Sequence, residues 1–457
     1  MYSIHTFLLQ KELFRSSEPV KTSVVSSFTD TPALQQIARQ ADSDYILFYT
    51  GTSPIELHPY AIGRMYQIAE SNDGALFYSD YQEIRQGKKI HHPTLEYQTG
   101  SIRNDFDFGQ LLLFRNDSFQ QVVAQMNTDY RFAALYELRL SISRLGKIVH
   151  IPETLYTVQP TDLRLSGEKQ FDYVDPANRE VQLEMEAVCT AHLQAIGAWL
   201  APEFQRIDFG QENFAREASV IIPVRNRKRT IAEAVESALQ QQTDFSFNVI
   251  VADNHSTDGT GQILTELSRR YPNLIHHIPA STELGIGGCW TEAILLPECG
   301  KFAIQLDSDD LYKDCHVLQR IVDTFYQENC AMVIGSYQMV DFKLEEIPPG
   351  LIAHREWTPD NGRNNALRIN GLGAPRAFYT PVLRQIKFPN VSYGEDYATA
   401  LAISRKYPIA RIYDPLYLCR RWEENSDHDL DIQQLNNYNF YKDKIRTLEI
   451  QARISGK

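Results

Sequence analysis

Asp307 and Asp309 stand one residue apart in the run Gln305-Leu306-Asp307-Ser308-Asp309-Asp310, directly after the apolar stretch Phe302-Ala303-Ile304. Two carboxylates at the end of a buried strand can hold a divalent cation and still leave coordination positions for a diphosphate. Hard oxygen ligands suit Mg²⁺ or Mn²⁺, which are commonly bound by one or two carboxylates plus substrate phosphates. Asp-rich turns also cap helices, so the triplet alone leaves a solvated turn open. Its neighbours change the balance. Asp253 closes the apolar run Asn248-Val249-Ile250-Val251-Ala252, and Glu395-Asp396 follow Gly394 at the head of a helical stretch.

Positioning these acids requires strands that end together. From Ser219 onward, short apolar runs alternate with helical periods, which predicts a sheet, mostly parallel, with helices on both faces. Strands are expected over Ser219–Val224, Asn248–Asp253, Leu274–Ile278, Phe302–Leu306 and Ala331–Ser336, with helices between them. Ligands bind such sheets beyond the carboxyl ends of the strands. Asp253 and Asp307 both lie there, so the fold brings them to one crevice. Asp258 is expected to cap the following helix, Asp310 to cap or support, and His276 and His277 to carry no chemistry.

The first 160 residues repeat this pattern. Tyr45-Ile46-Leu47-Phe48-Tyr49-Thr50-Gly51-Thr52 falls on Phe302 to Asp309, and Ala75 to Gln82 falls on Ala331 to Gln338. At a nearly constant offset, Ser143-Arg144 falls on Ser404-Arg405 and Leu155-Tyr156 on Leu416-Tyr417. Thr50 and Thr52 take the places of Asp307 and Asp309, and Ala134 and Leu135 those of Glu395 and Asp396. Neutral hydroxyls cannot replace two carboxylates on Mg²⁺, so the N-terminal lobe reads as a shortened, non-catalytic copy. The expected division is a degenerate lobe over 1–160, a helical linker over 161–216 and a catalytic lobe with its C-terminal helix over 217–457. The linker helix is expected from Ala177 to Ile196, started by Asp175-Pro176, closed by Gly197 and packed between the lobes.

Composition sets outer limits. The 457-residue chain has 43% hydrophobic and 23% charged residues and a formal net charge of -13, which argues against general nucleic-acid binding. No apolar run approaches the roughly 18 residues of a spanning helix. The N-terminal stretch lacks a basic region and a small-residue cleavage site, so no signal peptide is expected. Six scattered cysteines without a Cys-x-x-Cys suggest reduced thiols in a cytoplasmic protein.

Four segments together resemble the family-two glycosyltransferases of the GT-A fold: Ser219-Val-Ile-Ile-Pro-Val-Arg-Asn226, Val251-Ala-Asp-Asn-His-Ser-Thr-Asp-Gly-Thr260, Leu306-Asp-Ser-Asp-Asp310 and Gly394-Glu-Asp396. The resemblance covers residues 217 to about 428. It implies a Rossmann-like α/β sheet and inverting transfer of a sugar from a nucleoside-diphosphate donor to a hydroxyl on a glycan or glycolipid. Pro223, Val224, Arg225 and Asn226 would start the nucleotide pocket and Asp253 would receive the base. Asp307, Ser308 and Gly373 would line the donor site, with Asp307 and Asp309 on Mn²⁺ or Mg²⁺. Asp396, with Glu395 beside it, would be the base. Family members often carry a histidine where this chain has Trp422, within Cys419-Arg420-Arg421-Trp422. Arg421 or Arg420 is then expected to meet the diphosphate, and His428 to be solvated. The family setting is surface polysaccharide or glycolipid synthesis, with the protein cytoplasmic and associated with the inner face of a membrane.

Two other classes remain open. Nucleotidyl transfer usually wants a Gly-rich loop after the first strand, whereas Arg225-Asn226-Arg227-Lys228-Arg229 is basic without glycine. A non-catalytic nucleotide-sugar-binding or assembly protein would have followed its N-terminal lobe, against which the intact acids argue.

Overall fold

A computed structural model describes residues 2–159, 178–210, 212–422 and 430–456. It divides into two compact units, Met1–Trp199 with Leu430–Lys457, and Leu200–Asp429. Strands in the first unit are β1 (Ile4–Leu8), β2 (Phe14–Arg15), β3 (Lys21–Val24), β4 (Tyr45–Tyr49), β5 (Ile55–Leu57), β6 (Gly74–Arg85), β7 (Lys88–His92), β8 (Leu111–Arg115) and β9 (Lys147–Val158). Its helices up to the unit boundary are α1 (Thr31–Gln40), α2 (Ala61–Glu70), α3 (Asn116–Val123), α4 (Ala134–Leu145) and α5 (Arg179–Ala195).

Strands in the second unit are β10 (Ala218–Val224), β11 (Phe247–Asp253), β12 (Leu274–His277), β13 (Phe302–Gln305), β14 (Leu311–Tyr312), β15 (Met332–Val340), β16 (Glu346–Ile352), β17 (Arg376–Tyr379) and β18 (Ile409–Arg420). Its helices are α6 (Ile231–Leu239), α7 (Thr260–Arg270), α8 (Ile286–Leu295), α9 (Val317–Glu328), α10 (Gly362–Asn365), α11 (Thr380–Ile386) and α12 (Glu395–Ser404). The last helix, α13 (Ile432–Ile454), belongs to the first unit.

Both sheets have one plan. The first unit runs β3-β1-β4-β8-β6-β9-β5 with β7 on β6, and the second runs β11-β10-β13-β17-β15-β18-β14 with β16 on β15. Corresponding pairs share their sense. The pairs β1–β3, β1–β4 and β6–β9 are parallel, as are β10–β11, β10–β13 and β15–β18. The inserted strands β8 and β17 run antiparallel to both neighbours. Helices α3 and α4 follow β8 as α11 and α12 follow β17. The second unit adds β12 and the helices α6, α7 and α8 around β10–β13, where the first has only β2 and α1 as strand and α-helix. The internal repeat is thus a repeat of topology, and the missing pieces surround the strands β10, β11 and β13.

Local chemistry explains the elements. Strands β10, β11 and β13 lie centrally in the sheet, and Val220, Ile221, Ile222, Val249, Ile250, Val251 and Ile304 are fully buried, the pattern of strands covered on both faces. Helix α6 turns Ile231, Ala234, Val235 and Ala238 inward at helical spacing. In the first unit Phe7, Phe48, Phe114 and Phe119 pack one face of the sheet, and Tyr45, Leu47, Tyr49 and Phe77 the other.

The division differs from the one expected from sequence. Helix α5 packs within the first unit rather than forming a linker. Its Glu184 accepts the main-chain N–H groups of Arg131, Phe132 and Ala133 ahead of α4, and Arg144 meets His192 at 3.1 Å. Helix α13 is also not part of the second unit. Its fully buried Asp443 accepts from Ser101 Oγ at 3.0 Å, Arg103 Nε at 3.2 Å and Arg446 Nη1 at 2.8 Å. A buried carboxylate needs such partners, and the 100–103 loop supplies them. The expected helix start at Asp175-Pro176 and His428 lie outside the described residues. All six cysteines are free, and among the described residues no helix is long and apolar enough to cross a membrane.

Candidate active site

The carboxyl ends of β10, β11 and β13 carry the first group of expected residues. Asn226 has left-handed backbone, φ 53°, a conformation open to asparagine. It ties the loop after β10 to the loop after β11: its N–H donates to Ser256 Oγ at 2.9 Å and its Oδ1 accepts from Thr257 N at 2.8 Å. The Arg227 N–H donates to Thr260 Oγ1 and that of Lys228 to Asp258. Arg225 and Asn226 are exposed, Pro223 is half-buried, and buried Val224 contributes its carbonyl, which accepts from Asn254 N at 2.8 Å.

Asp253 is buried at the end of β11. Its Oδ1 accepts from Ser256 N at 2.9 Å and its Oδ2 meets His276 Nε2 at 3.2 Å. Burial opposes its charge, but these hydrogen bonds prevail and hold the carboxyl below the usual range. His276 on β12 therefore has a part that the sequence did not reveal: it faces the expected base-binding carboxylate. Asp258 is not the helix cap expected of it: the N-cap of α7 is Gly259, and Asp258, one residue earlier, accepts the main-chain N–H groups of Thr260 and Lys228 and so ties the loops after β10 and β11.

At the end of β13 the three acids separate. Both oxygens of Asp307 accept from Gln305 Nε2, at 2.9 and 3.0 Å, and its N–H donates to Tyr417 Oη at 2.9 Å. Burial, with Asp309 adding to it, pushes the Asp307 carboxyl up despite Gln305 and Arg376. Ser308 is buried between the pair. Asp309 Oδ2 accepts the indole N–H of Trp422 at 3.1 Å and lies 3.9 Å from Arg227 Nε. Asp310 is buried behind them and accepts from Arg420 N at 2.8 Å. Burial and the charges of Asp309 and Asp307 raise its carboxyl well above the ordinary value.

Trp422 occupies the position where a histidine was expected. Indole is a donor only, so it orients Asp309 and cannot ligate a metal. Its ring packs on Phe342, 5.3 Å between centroids, and the guanidinium of Arg229 lies 5.3 Å from it. Arg420 is the arginine lodged against the acids, bonding the Asp309 carbonyl and Glu233. Arg421, the residue expected to meet the diphosphate, is half-buried, and its main-chain N–H donates to the Val340 carbonyl at 2.9 Å.

The second group of expected residues is carried by β17, the loop before it and the start of α12, against which α8 packs. Gly287 on α8 is dictated by contact: a Cβ there would stand 2.0 Å from the Pro389 carbonyl oxygen and 3.0 Å from Glu395 Cβ. Gly373 has φ +99° and a would-be Cβ 2.8 Å from His354, so only glycine fits without strain. Its carbonyl accepts from Arg376 Nε at 2.8 Å, and Arg376 Nη1 donates to Asp396 Oδ2. Arg376 is thus a largely buried ion-pair partner of Asp396.

The two acids of the Glu395-Asp396 pair differ. Asp396 keeps 26% of its side chain exposed. Glu395 is 9% exposed, and its buried Oε2 has no hydrogen-bond partner. Burial, with Asp396 adding to it, pushes the Glu395 carboxyl up to about 8. Of the two, Asp396 is the more exposed.

The donor set fits a divalent cation of the Mg²⁺ or Mn²⁺ kind. Asp307 and Asp309 offer hard oxygens and crowd each other's charge. Among the described residues no three His, Cys, Asp or Glu side chains form a ligand cluster. The remaining positions would fall to phosphate and water, as is usual for these ions.

Part of this chain is similar to known proteins. Residues 219–386 match the family described as glycosyl transferase family 2. An uncharacterized glycosyltransferase of Nostoc sp. is 32% identical over 123 residues, 27% of this chain and 37% of that protein. The poly(ribitol-phosphate) beta-glucosyltransferase of Bacillus spizizenii is 24% identical over 49% of this chain and 35% of its own length. A Bacillus subtilis glycosyltransferase named for teichuronic acid biosynthesis is 25% identical over 42% of this chain and 74% of its own. The chain thus spans little more than a third of the length of the first two relatives. The crystal structure of Staphylococcus aureus TarS 1-349 with UDP-GlcNAc aligns with TM-score 0.40 and 22% identity, over 52% of this chain and 72% of that one. The segment that matches the family-two glycosyltransferases, residues 219–386, includes the Asp pair after β13 and the arginine that holds Asp396.

Proposed function

We propose that the second unit is an inverting, divalent-cation-dependent glycosyltransferase that moves a sugar from a nucleoside-diphosphate donor to a hydroxyl acceptor. The observation that carries this reading is the placement of Asp307 and Asp309 after β13, with Asp396 linked to Asp307 through Gln305 and Arg376. Asp253 would accept from the base N–H, and the loop after β10 would border the nucleoside. Mn²⁺ or Mg²⁺, held by Asp307 and Asp309, would supply charge neutralisation for the departing diphosphate. Asp396 would take the proton of the acceptor hydroxyl as that oxygen bonds to the anomeric carbon and the carbon–phosphate-oxygen bond breaks. The basic residues Arg227 and Arg229 border the crevice on the diphosphate side, and Arg421 would approach the same phosphates. The names of the Bacillus relatives favour a cell-surface polymer as acceptor, with the chain acting in the cytoplasm at the inner face of a membrane. The test is donor hydrolysis or transfer over a panel of nucleotide sugars with Mn²⁺. Asp396→Asn and Asp309→Ala should each lose nearly all activity; full activity in both would end this reading.

A further inference from the structure

Gln305 sits between the donor and acceptor ends, and its contacts fix which way its amide faces. The main-chain N–H of Arg376 can only donate, so the atom 3.1 Å from it is the Gln305 oxygen. The amide nitrogen is therefore turned on Asp307 and donates to both carboxylate oxygens. Arg376, whose N–H sets that orientation, grips Asp396 with its guanidinium and anchors the same side chain on the Gly373 carbonyl. One unbroken chain of hydrogen bonds joins Asp307 to Asp396 through Gln305 and Arg376. Gln305 is 5% exposed, so water does not compete for its amide.

The first unit supplies an independent observation. Phe48 and Leu112 face each other across β4 and β8. They stand where Gln305 and Arg376 face each other, one step beyond the pair Ile304–Ala377 of β13 and β17. The buried tyrosine of this region persists as an acceptor of a main-chain N–H, though with another partner: Tyr156 Oη accepts from Gln110 N, ahead of β8, at 2.7 Å, and Tyr417 Oη from Asp307 N, after β13, at 2.9 Å. A polar link required only to build the sheet would have persisted with it. Instead Gln305 and Arg376 are absent together with both metal-side acids and Asp396, which become Thr50, Thr52 and Leu135.

Resting on the transferase reading above, we propose that Gln305 and Arg376 are positioning residues. Together they set the donor-end carboxylate Asp307 and the acceptor-end carboxylate Asp396 in register. Productive sites need their groups held to within about 0.5 Å, and hydrogen bonds to a charged acceptor are strong enough to do so. The two residues act on different ends, which separates their effects.

The test uses the full chain, calorimetric titration of Mn²⁺ with UDP or with GDP, and transfer kinetics with whichever nucleotide sugar is active. Gln305→Met, close in volume but unable to hydrogen-bond Asp307, should weaken Mn²⁺–nucleotide binding by about tenfold and lower kcat, with the melting temperature little changed. Arg376→Lys keeps the charge but loses the fork. It should leave Mn²⁺–nucleotide binding within about twofold of the unmodified chain and lower kcat by about tenfold or more. Gln305→Asn keeps the amide but cannot span both partners, and it gives the same reading if the methionine variant does not fold. Unchanged Mn²⁺–nucleotide binding in the Gln305 variant, or its abolition in Arg376→Lys, would overturn the proposal while leaving the transferase reading standing. No Mn²⁺-dependent nucleotide binding by the unmodified chain would remove both.

Discussion

The two units of this chain share a seven-strand order and its strand senses, yet the acids that follow β13 have no counterparts directly after β4. At the end of β4 the chain reads Thr50-Gly51-Thr52, and Thr50 Oγ1 donates to the Gln110 carbonyl at 3.3 Å. At the end of β13 it reads Asp307-Ser308-Asp309, and the acids engage Gln305, Tyr417 and Trp422. Helix α4 begins on Ala134 and helix α12 on Glu395. The sheet therefore does not need these acids. Their buried charge is a burden on stability, which a unit relieved of chemistry can discard. What survives in both, such as the tyrosine on β9 and β18, belongs to the architecture.

Converting one unit toward the other tests this comparison. The largest effect should come from Asp307→Thr with Asp309→Thr, which gives the second unit the residues of the first. Mn²⁺-dependent nucleotide binding should vanish and transfer should fall by about 10³-fold or more, as on removal of a main electrostatic stabiliser, with the circular dichroism spectrum retained. Next, Asp396→Leu, the residue of the first unit, should lower kcat by about 10²- to 10⁴-fold, the range of general-base loss, and leave donor binding intact in titration. Trp422→Phe removes one hydrogen bond to Asp309 and should weaken Mn²⁺–nucleotide binding by about tenfold.

Glu395 gives a smaller effect, visible in stability against pH. Its carboxyl is raised from 4.5 to about 8 in the folded chain. The folded state thus binds more protons than the unfolded one between those values, and stability falls as pH rises across that window. Glu395→Gln should flatten the decline of melting temperature between about pH 5 and pH 8. The smallest effect should come from Thr50→Asp with Thr52→Asp. Without counterparts of Gln305, Arg376 and Asp396, the first unit should gain no nucleotide binding.

Much of this was legible because apolar strands end abruptly in polar loops. Asp253 and Asp307 each close a buried run, and the fold carries both to the same edge of the sheet. The repeat was legible for the same reason, since Tyr45–Tyr49 and Phe302–Gln305 are buried runs of similar length. Arg376 was not legible, because an arginine after a proline shows no periodicity that betrays an internal partner, and only the antiparallel insertion of β17 brings it opposite Gln305. His276 was passed over because its partner lies on the neighbouring strand. The C-terminal helix was assigned to the wrong unit because its inward face holds Lys442, Asp443, Arg446, Glu449 and Arg453 beside Ile445 and Ile450. A helix that buries charges shows no apolar stripe to follow, and its partner loop at 100–103 is remote in sequence.

The central claim is that this chain holds one donor site and that the second unit contains it. Calorimetric titration of the full chain with the nucleotide sugar it prefers, in Mn²⁺, measures that directly. The account predicts one equivalent bound per chain, with Mn²⁺ required, and none after Asp307→Thr with Asp309→Thr. Two equivalents per chain, or binding that survives the double substitution, would contradict it.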